Sequence, residues 1–151
     1  MERSLVILKP DCVQRRLIGR VLARFEDKAL RIVGMKMVYM DRAVAERLYE
    51  VHKGRPFYEP LLKFVTSSPS VVMAIEGESA IKVVRSMLGP TAGSDAPPGT
   101  IRGDFALSAR LNLTHASDSP ESAAREIPIF FSAAELFDYQ IADDHWVVPP
   151  A

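Results

Sequence analysis

Residues 70–90 read SVVMAIEGESAIKVVRSMLGP, an apolar run followed at once by a change of period. Ser70–Gly77 is a short continuous apolar stretch closed by a glycine, which reads as a buried strand. Ser79 then stands where a helix N-cap belongs, and Ile81, Val84 and Leu88 recur at helical spacing until Gly89 and Pro90 stop them. A strand feeding a helix through one tight turn is a unit of layered α and β architecture.

Upstream the same alternation is legible. SLVILK (Ser4–Lys9), ended by Pro10, predicts a first buried strand. Ile18, Val21, Leu22, Phe25 and Ala29 follow helical spacing, and MKMVYM (Met35–Met40) predicts a second strand. Asp41 is placed to cap a helix with Val44, Leu48 and Val51 on its apolar face. RPFYEPLLKFVTSSP (Arg55–Pro69) predicts a short helical hairpin with proline-rich edges. Downstream, Gly89–Gly103 has no apolar period and predicts a long loop, and loops of that length in compact domains are usually functional or disordered. LNLTH (Leu111–His115) predicts the fourth strand and Pro120 the start of a last helix, with FDYQIADDHWVVPPA as a tail. This order suits one α+β domain over residues 1–151, a split βαβ, ferredoxin-like sandwich with a four-stranded antiparallel sheet covered by helices.

Lys+Arg and Asp+Glu are both 19, so no global basic field exists to hold nucleic acid, and anion binding must come from local clustering. The single cysteine, Cys12, rules out an internal disulfide and a cysteine-based zinc site, and it fits a reducing compartment. The apolar core of the first strand, Leu5–Leu8, is too short for a signal peptide or a membrane span. The expected location is cytoplasmic.

The common nucleotide and zinc motifs, G-x-x-x-x-G-K-[ST], G-x-G-x-x-G and H-E-x-x-H, are absent. Scattered cations beside turn-formers stand in their place. Lys9 ends the first strand, Arg85 lies in the third helix, and Arg102 lies in the Gly/Pro loop, between glycines that let backbone approach a ligand closely. Each cation also reads as an ordinary solvated charge. His115 closes the fourth strand, a place where a histidine can equally be structural. Ala116 and Ser117 leave room around its ring, and Asn112, Ser117 and Asp118 supply polar groups. Glu126, on the following helix, is placed to reach back and orient Ser117 or the ring. A neutral imidazole is a good nucleophile near neutral pH. His52 reads as a helix-end residue and His145 as part of the tail.

NLTHASDS (Asn112–Ser119) resembles the N-x-x-H-[GA]-S-D signature of the nucleoside diphosphate kinase family. VILKPDCVQ, RPFYEPLLKF, VRSMLGPT and PGTIRGDF follow that family's order and spacing, covering about Arg3 to Trp146. The resemblance implies a Mg²⁺-dependent ping-pong enzyme that moves the γ-phosphoryl group of a nucleoside triphosphate to a nucleoside diphosphate. It implies that His115 is the nucleophile, through Nδ1. By the same resemblance Lys9, Arg85, Thr91 and Arg102 surround the phosphates, with Mg²⁺ held mainly by the phosphates themselves. Asn112 and Lys9 lie near the ribose 3′-hydroxyl, Phe57 stacks on the base, and Tyr49, Ser117 and Glu126 steady the histidine. The partners implied are ATP and other nucleoside tri- and diphosphates. The tail ADDHWVVPPA resembles the extension of hexameric members, so a homohexamer is expected, with Gly89–Gly103 near the trimer contacts. A ferredoxin-like nucleotide- or nucleic-acid-binding regulatory module without turnover, and a phosphocarrier serving a protein, are the competing readings. Neutral net charge and the lack of an exposed aromatic pair on a strand disfavour the first, and the cations with Phe57 disfavour the second.

Two positions depart from the family pattern. Cys12 stands where most members have glycine, and a position needing φ > 0 would strain it. Pro128 falls inside the helix that carries Glu126 and is expected to bend or interrupt it near Ile127.

Overall fold

The computed structural model describes Met1–Ala151. In chain order its regular elements are β1 (Glu2–Leu8), α1 (Pro10–Gln14), α2 (Ile18–Asp27), β2 (Arg31–Val38), α3 (Arg42–Leu48), α4 (Tyr58–Val65), β3 (Ser70–Gly77), α5 (Ala80–Leu88), α6 (Ile101–Phe105), β4 (Thr114–Ala116) and α7 (Pro120–Phe130). The strands form one sheet in the order β2-β3-β1-β4, and every pairing is antiparallel. This is the ferredoxin-like α+β sandwich expected from the sequence.

β1 is the axis of the molecule. Leu5, Val6, Ile7 and Leu8 are all fully buried, each contributing roughly 1.5–3 kcal/mol if its side chain leaves water entirely. The pleat sends Leu5 and Ile7 into a core with Leu48, Leu62 and Ile127, from α3, α4 and α7. Val6 and Leu8 go to the opposite core with Val21, Phe25, Val84 and Leu88, from α2 and α5. Helices therefore cover both faces, which is why β1 and β3 read as continuous apolar runs instead of alternating ones. Ile7 pairs with His115, while Val6 pairs with Ala116, which belongs to the α2–α5 core. The same pleat turns His115 toward α3 and α7.

Several elements differ from their expected extents. β2 starts four residues before Met35 because it pairs with β3 from Arg31–Glu76 to Val38–Ser70, with a bulge between Ile32 and Gly34. Ala29 is not helical; it lies past the end of α2 at φ 64. The hairpin expected from residues 55–69 is a single helix, α4, whose end is closed by Thr66 and Ser67 hydroxyls donating to the Leu62 and Phe64 carbonyls. Ser79 does not cap α5. It sits in the left-handed region at φ 54, and the Glu2 carboxylate accepts from the Ile81 amide at 2.7 Å instead. Asp41 does cap α3, accepting from the Val44 amide.

The Gly/Pro segment is more ordered than its composition suggests. It contains a turn of 3₁₀ helix at Gly93–Asp95 and then α6, whose N-cap Thr100 accepts from the Gly103 amide at 3.0 Å. Gly103 is required by close approach: a Cβ there would fall 1.9 Å from the Pro97 carbonyl oxygen. β4 is only three residues long, because Leu113 adopts φ 73 and breaks the extended run before Thr114. Pro128 does not interrupt α7, which continues to Phe130. Lying near the helix end, it removes one interior hydrogen bond without preventing the Phe131 amide from reaching the Ile127 carbonyl at 2.9 Å. Cys12 is buried within α1 and is not among the positive-φ residues, so no backbone strain arises there. No helix is long and apolar enough to cross a membrane.

Candidate active site

β4 and the start of α7 carry His115 and the groups around it. Ser119 caps α7 by accepting from the Ser122 amide, and this fixes Glu126 two turns along, pointing back under the sheet edge. Glu126 is buried, with its oxygens 3.3 and 3.2 Å from His115 Nε2. Its Oε1 also accepts from the Ser117 hydroxyl at 2.7 Å, and that hydroxyl accepts from the Leu5 amide of β1 at 3.0 Å. The chain of bonds runs from the central strand through Ser117 and Glu126 to the imidazole. Burial alone would raise the Glu126 carboxyl; the bond and charge of His115, the Ser117 bond and the Arg125 charge outweigh it, holding Glu126 below the usual range.

The ring is steadied from the other side by Tyr49, edge-on at 5.7 Å between centroids. Tyr49 is buried, and its phenol is raised by desolvation and then by Glu126, so it stays neutral. Nε2 is engaged by a carboxylate, which leaves Nδ1 as the ring nitrogen without that partner. Asp118 is not similarly poised: it accepts from the Ser122 hydroxyl at 2.6 Å at the helix start.

The cations converge on the same end of the sheet. Lys9 is buried where β1 meets α1, and its ammonium donates to Asn112 Oδ1. Asn112 in turn donates through Nδ2 to the Thr91 carbonyl at 3.0 Å. Burial pushes the Lys9 ammonium down to about 8, with Asp11 opposing and Arg102 reinforcing the shift. Arg102 lies on α6 and is buried, a correction to its expected place on an open loop. Its guanidinium donates to the carbonyls of Asn112 (3.2 Å), Gly89 (3.0 Å) and Thr114 (2.7 Å), stitching the Gly/Pro segment to β4. Desolvation, then the Arg85 charge, brings Arg102 down to about 10, so it stays protonated at neutral pH. Arg85 extends from α5 toward the Ala116 carbonyl at 3.5 Å.

Phe57, the N-cap residue of α4, leaves 46% of its surface exposed. It joins the histidine through His52, which lies 5.1 Å from Phe57 and 6.1 Å from Tyr49 between ring centroids. His52 ends a turn of 3₁₀ helix at Glu50–His52, as the sequence suggests, and its spacing of three residues after Tyr49 also turns its ring to the same side, a signal the sequence reading leaves unused. Asp11 was also missed. Its Oδ2 accepts from the amide of the left-handed Leu113 at 3.0 Å, fixing the turn between Asn112 and β4. The structure thus gathers Lys9, Thr91, Arg102 and Asn112 in one hydrogen-bonded group, and His115, Ser117, Glu126, Tyr49 and Phe57 in an adjoining one. Arg85 reaches the strand that carries His115.

An imidazole held at one nitrogen and set among buried cations, on a ferredoxin-like sandwich, defines the layout of a phosphotransferase. The sequence model of the family described as "Nucleoside diphosphate kinase" matches residues 2–136. The nucleoside diphosphate kinase of Thermococcus kodakarensis is 55% identical over 147 residues, covering 95% of this chain and 84% of that protein. That of Methanocaldococcus jannaschii is 57% identical over 137 residues, covering 91% and 98% respectively. The solved structure of the Halobacterium salinarum nucleoside diphosphate kinase in complex with CDP superposes with a TM-score of 0.95 at 42% identity, covering 97% of this chain and 98% of that one. The chain belongs to the nucleoside diphosphate kinase family. It is an enzyme, a phosphotransferase acting on nucleotides.

Proposed function

We propose that the reaction proceeds by ping-pong through a phosphohistidine at His115. The observation that carries this is the engagement of Nε2 by Glu126, which fixes the tautomer and leaves the Nδ1 lone pair for attack. Nδ1 bonds to the γ-phosphorus as the bond to the β–γ bridging oxygen breaks, and the nucleoside diphosphate departs with that oxygen. A second diphosphate then takes the group back by the reverse displacement. Lys9, Arg85 and Arg102 supply the charge that phosphoryl transfer needs more than covalent help, with Thr91 and Asn112 beside them. Arg102 keeps N–H groups beyond the three donated to carbonyls, so it can hold its loop and meet a phosphate at once. Phe57 offers a π-face that accepts any base, which supports broad substrate use.

No group of three or more His, Cys, Asp or Glu side chains gathers into a metal cage. The cationic surroundings of the site would repel a free divalent ion but suit one carried on nucleotide phosphates, so the residues fit Mg²⁺ in that form. Bound there, it would neutralise phosphate charge. We further propose a homohexamer, with the Gly89–Gly103 segment near the contacts, and a cytoplasmic location. Labelling with γ-labelled ATP, followed by each of several nucleoside diphosphates, tests the ping-pong reading. The label should appear on the protein and discharge to every diphosphate offered. A protein that turns over nucleotides without ever carrying label would contradict it.

A further inference from the structure

We propose that Arg125 is a positioning residue for phosphoryl transfer, setting the catalytic imidazole from two sides at once. Its guanidinium donates Nη1 to the Arg47 carbonyl at 2.9 Å and Nη2 to the Leu48 carbonyl at 3.4 Å. These are among the last carbonyls of α3, which have no partner within the helix, and a cation at a helix C-terminus also meets the negative end of its dipole. The next residue is Tyr49, whose ring edge steadies His115. On its own helix Arg125 precedes Glu126, and its Nη2 lies 3.7 Å from Glu126 Oε2. One half-buried side chain therefore joins the end of α3 to α7 and fixes the spacing between the groups that flank the imidazole. Its planar fork spans two carbonyls and the carboxylate together, which an ammonium cannot match. Arg125 itself makes no hydrogen bond or ion pair with Lys9, Arg85, Arg102 or Phe57, so its direct effect is on the rate of transfer.

The proposal rests on His115 being the phosphoryl acceptor. Rapid-quench measurement of phosphoenzyme formation at saturating γ-labelled ATP is made for the wild type, R125A, R125K, E126Q and R125A/E126Q. Titration with ADP and thermal melts are run on the same proteins. R125A should slow formation by about tenfold, the scale of a small misalignment at the reacting atom. Its ADP dissociation constant should move by less than about twofold, and R125K should recover part of the rate. In the Glu126→Gln background the further loss should be much smaller, since the two residues act as one unit. Should R125A not fold, the rate and affinity of R125K decide the matter in the same way. A folded R125A that melts earlier but labels at the full rate would overturn this proposal alone. So would equal losses in rate and affinity, or losses that simply multiply with E126Q. A wild type that forms no phosphohistidine would overturn the His115 reading, and this proposal with it.

Discussion

Lys9 meets opposing demands, being buried at the end of a core strand while, in the proposed reaction, it faces the phosphates. Burial brings its ammonium from 10.5 down to about 8, Asp11 opposing and Arg102 reinforcing. Between those two values the unfolded chain binds more protons than the folded one, so Lys9 makes stability rise with pH in that window. Binding works the other way, because only the protonated form attracts phosphate. ADP affinity should therefore fall as pH rises through about 8, read by calorimetry from about pH 7 to about 9.5. A flat profile would mean that Lys9 does not face the phosphates. Phe57→Ala should weaken purine and pyrimidine diphosphates alike by about 1–3 kcal/mol, the scale of one stacking contact. Loss of purine binding alone would contradict an unselective platform. Most candidate site residues stand out in the sequence because each sits in a stretch with its own chemistry: Lys9 before Pro10, Arg102 between glycines, His115 among small polar residues. His52 and Asp11 do not, since their roles exist only once a turn stacks one ring on Tyr49 and a left-handed Leu113 presents its amide to the other.

Among the elements, the strand–helix unit β3–α5 was read almost residue for residue, yet the way α5 begins was not. A sequence shows Ser79 at the capping place but not Glu2, 79 positions from Ile81, whose carboxylate takes the amide. Ser79→Gly should stabilise the fold by roughly 0.5–1 kcal/mol, because glycine adopts the left-handed conformation without the cost that a Cβ brings. Chemical denaturation measures this, and a loss of stability would show that the Ser79 side chain has a partner. Arg102 ties α6 to the end of α5, to the turn before β4 and to β4 itself through the Gly89, Asn112 and Thr114 carbonyls, and Arg102→Ala would leave these acceptors bare. The expected cost is about 2–5 kcal/mol, together with loss of turnover. Near-native stability in the same measurement would refute the stitching role. β4 escaped its expected length for the same reason: backbone left-handed at Leu113, with carbonyls claimed by an arginine ten or so residues earlier, cannot extend the sheet.

At the scale of the molecule, apolar surface is left uncovered at Met35 and Met37 on β2 and at Tyr39 just past it, near the Gly/Pro segment at Leu107 and Leu111, and in the tail at Trp146. Burial of such surface between subunits is the physical case for assembly. Tyr139 is instead tied to β2, its hydroxyl donating to the Ile32 carbonyl and its ring lying 5.6 Å from the Arg31 guanidinium. Light scattering at micromolar protein should give the mass of a hexamer; a mass of four subunits or fewer would contradict it. The fold was legible at this scale because two helical layers demand two apolar faces on β1, and SLVILK supplies both. The central claim is that His115 carries the phosphoryl group. It is tested most directly by exposing wild type and His115→Ala to γ-labelled ATP and following the protein-bound label through acid and alkali. The wild type should carry label that survives alkali and is released by acid, as an N–P bond requires, while His115→Ala carries none and still binds ADP. Label persisting on His115→Ala, or residing on a serine or an aspartate, would contradict the account.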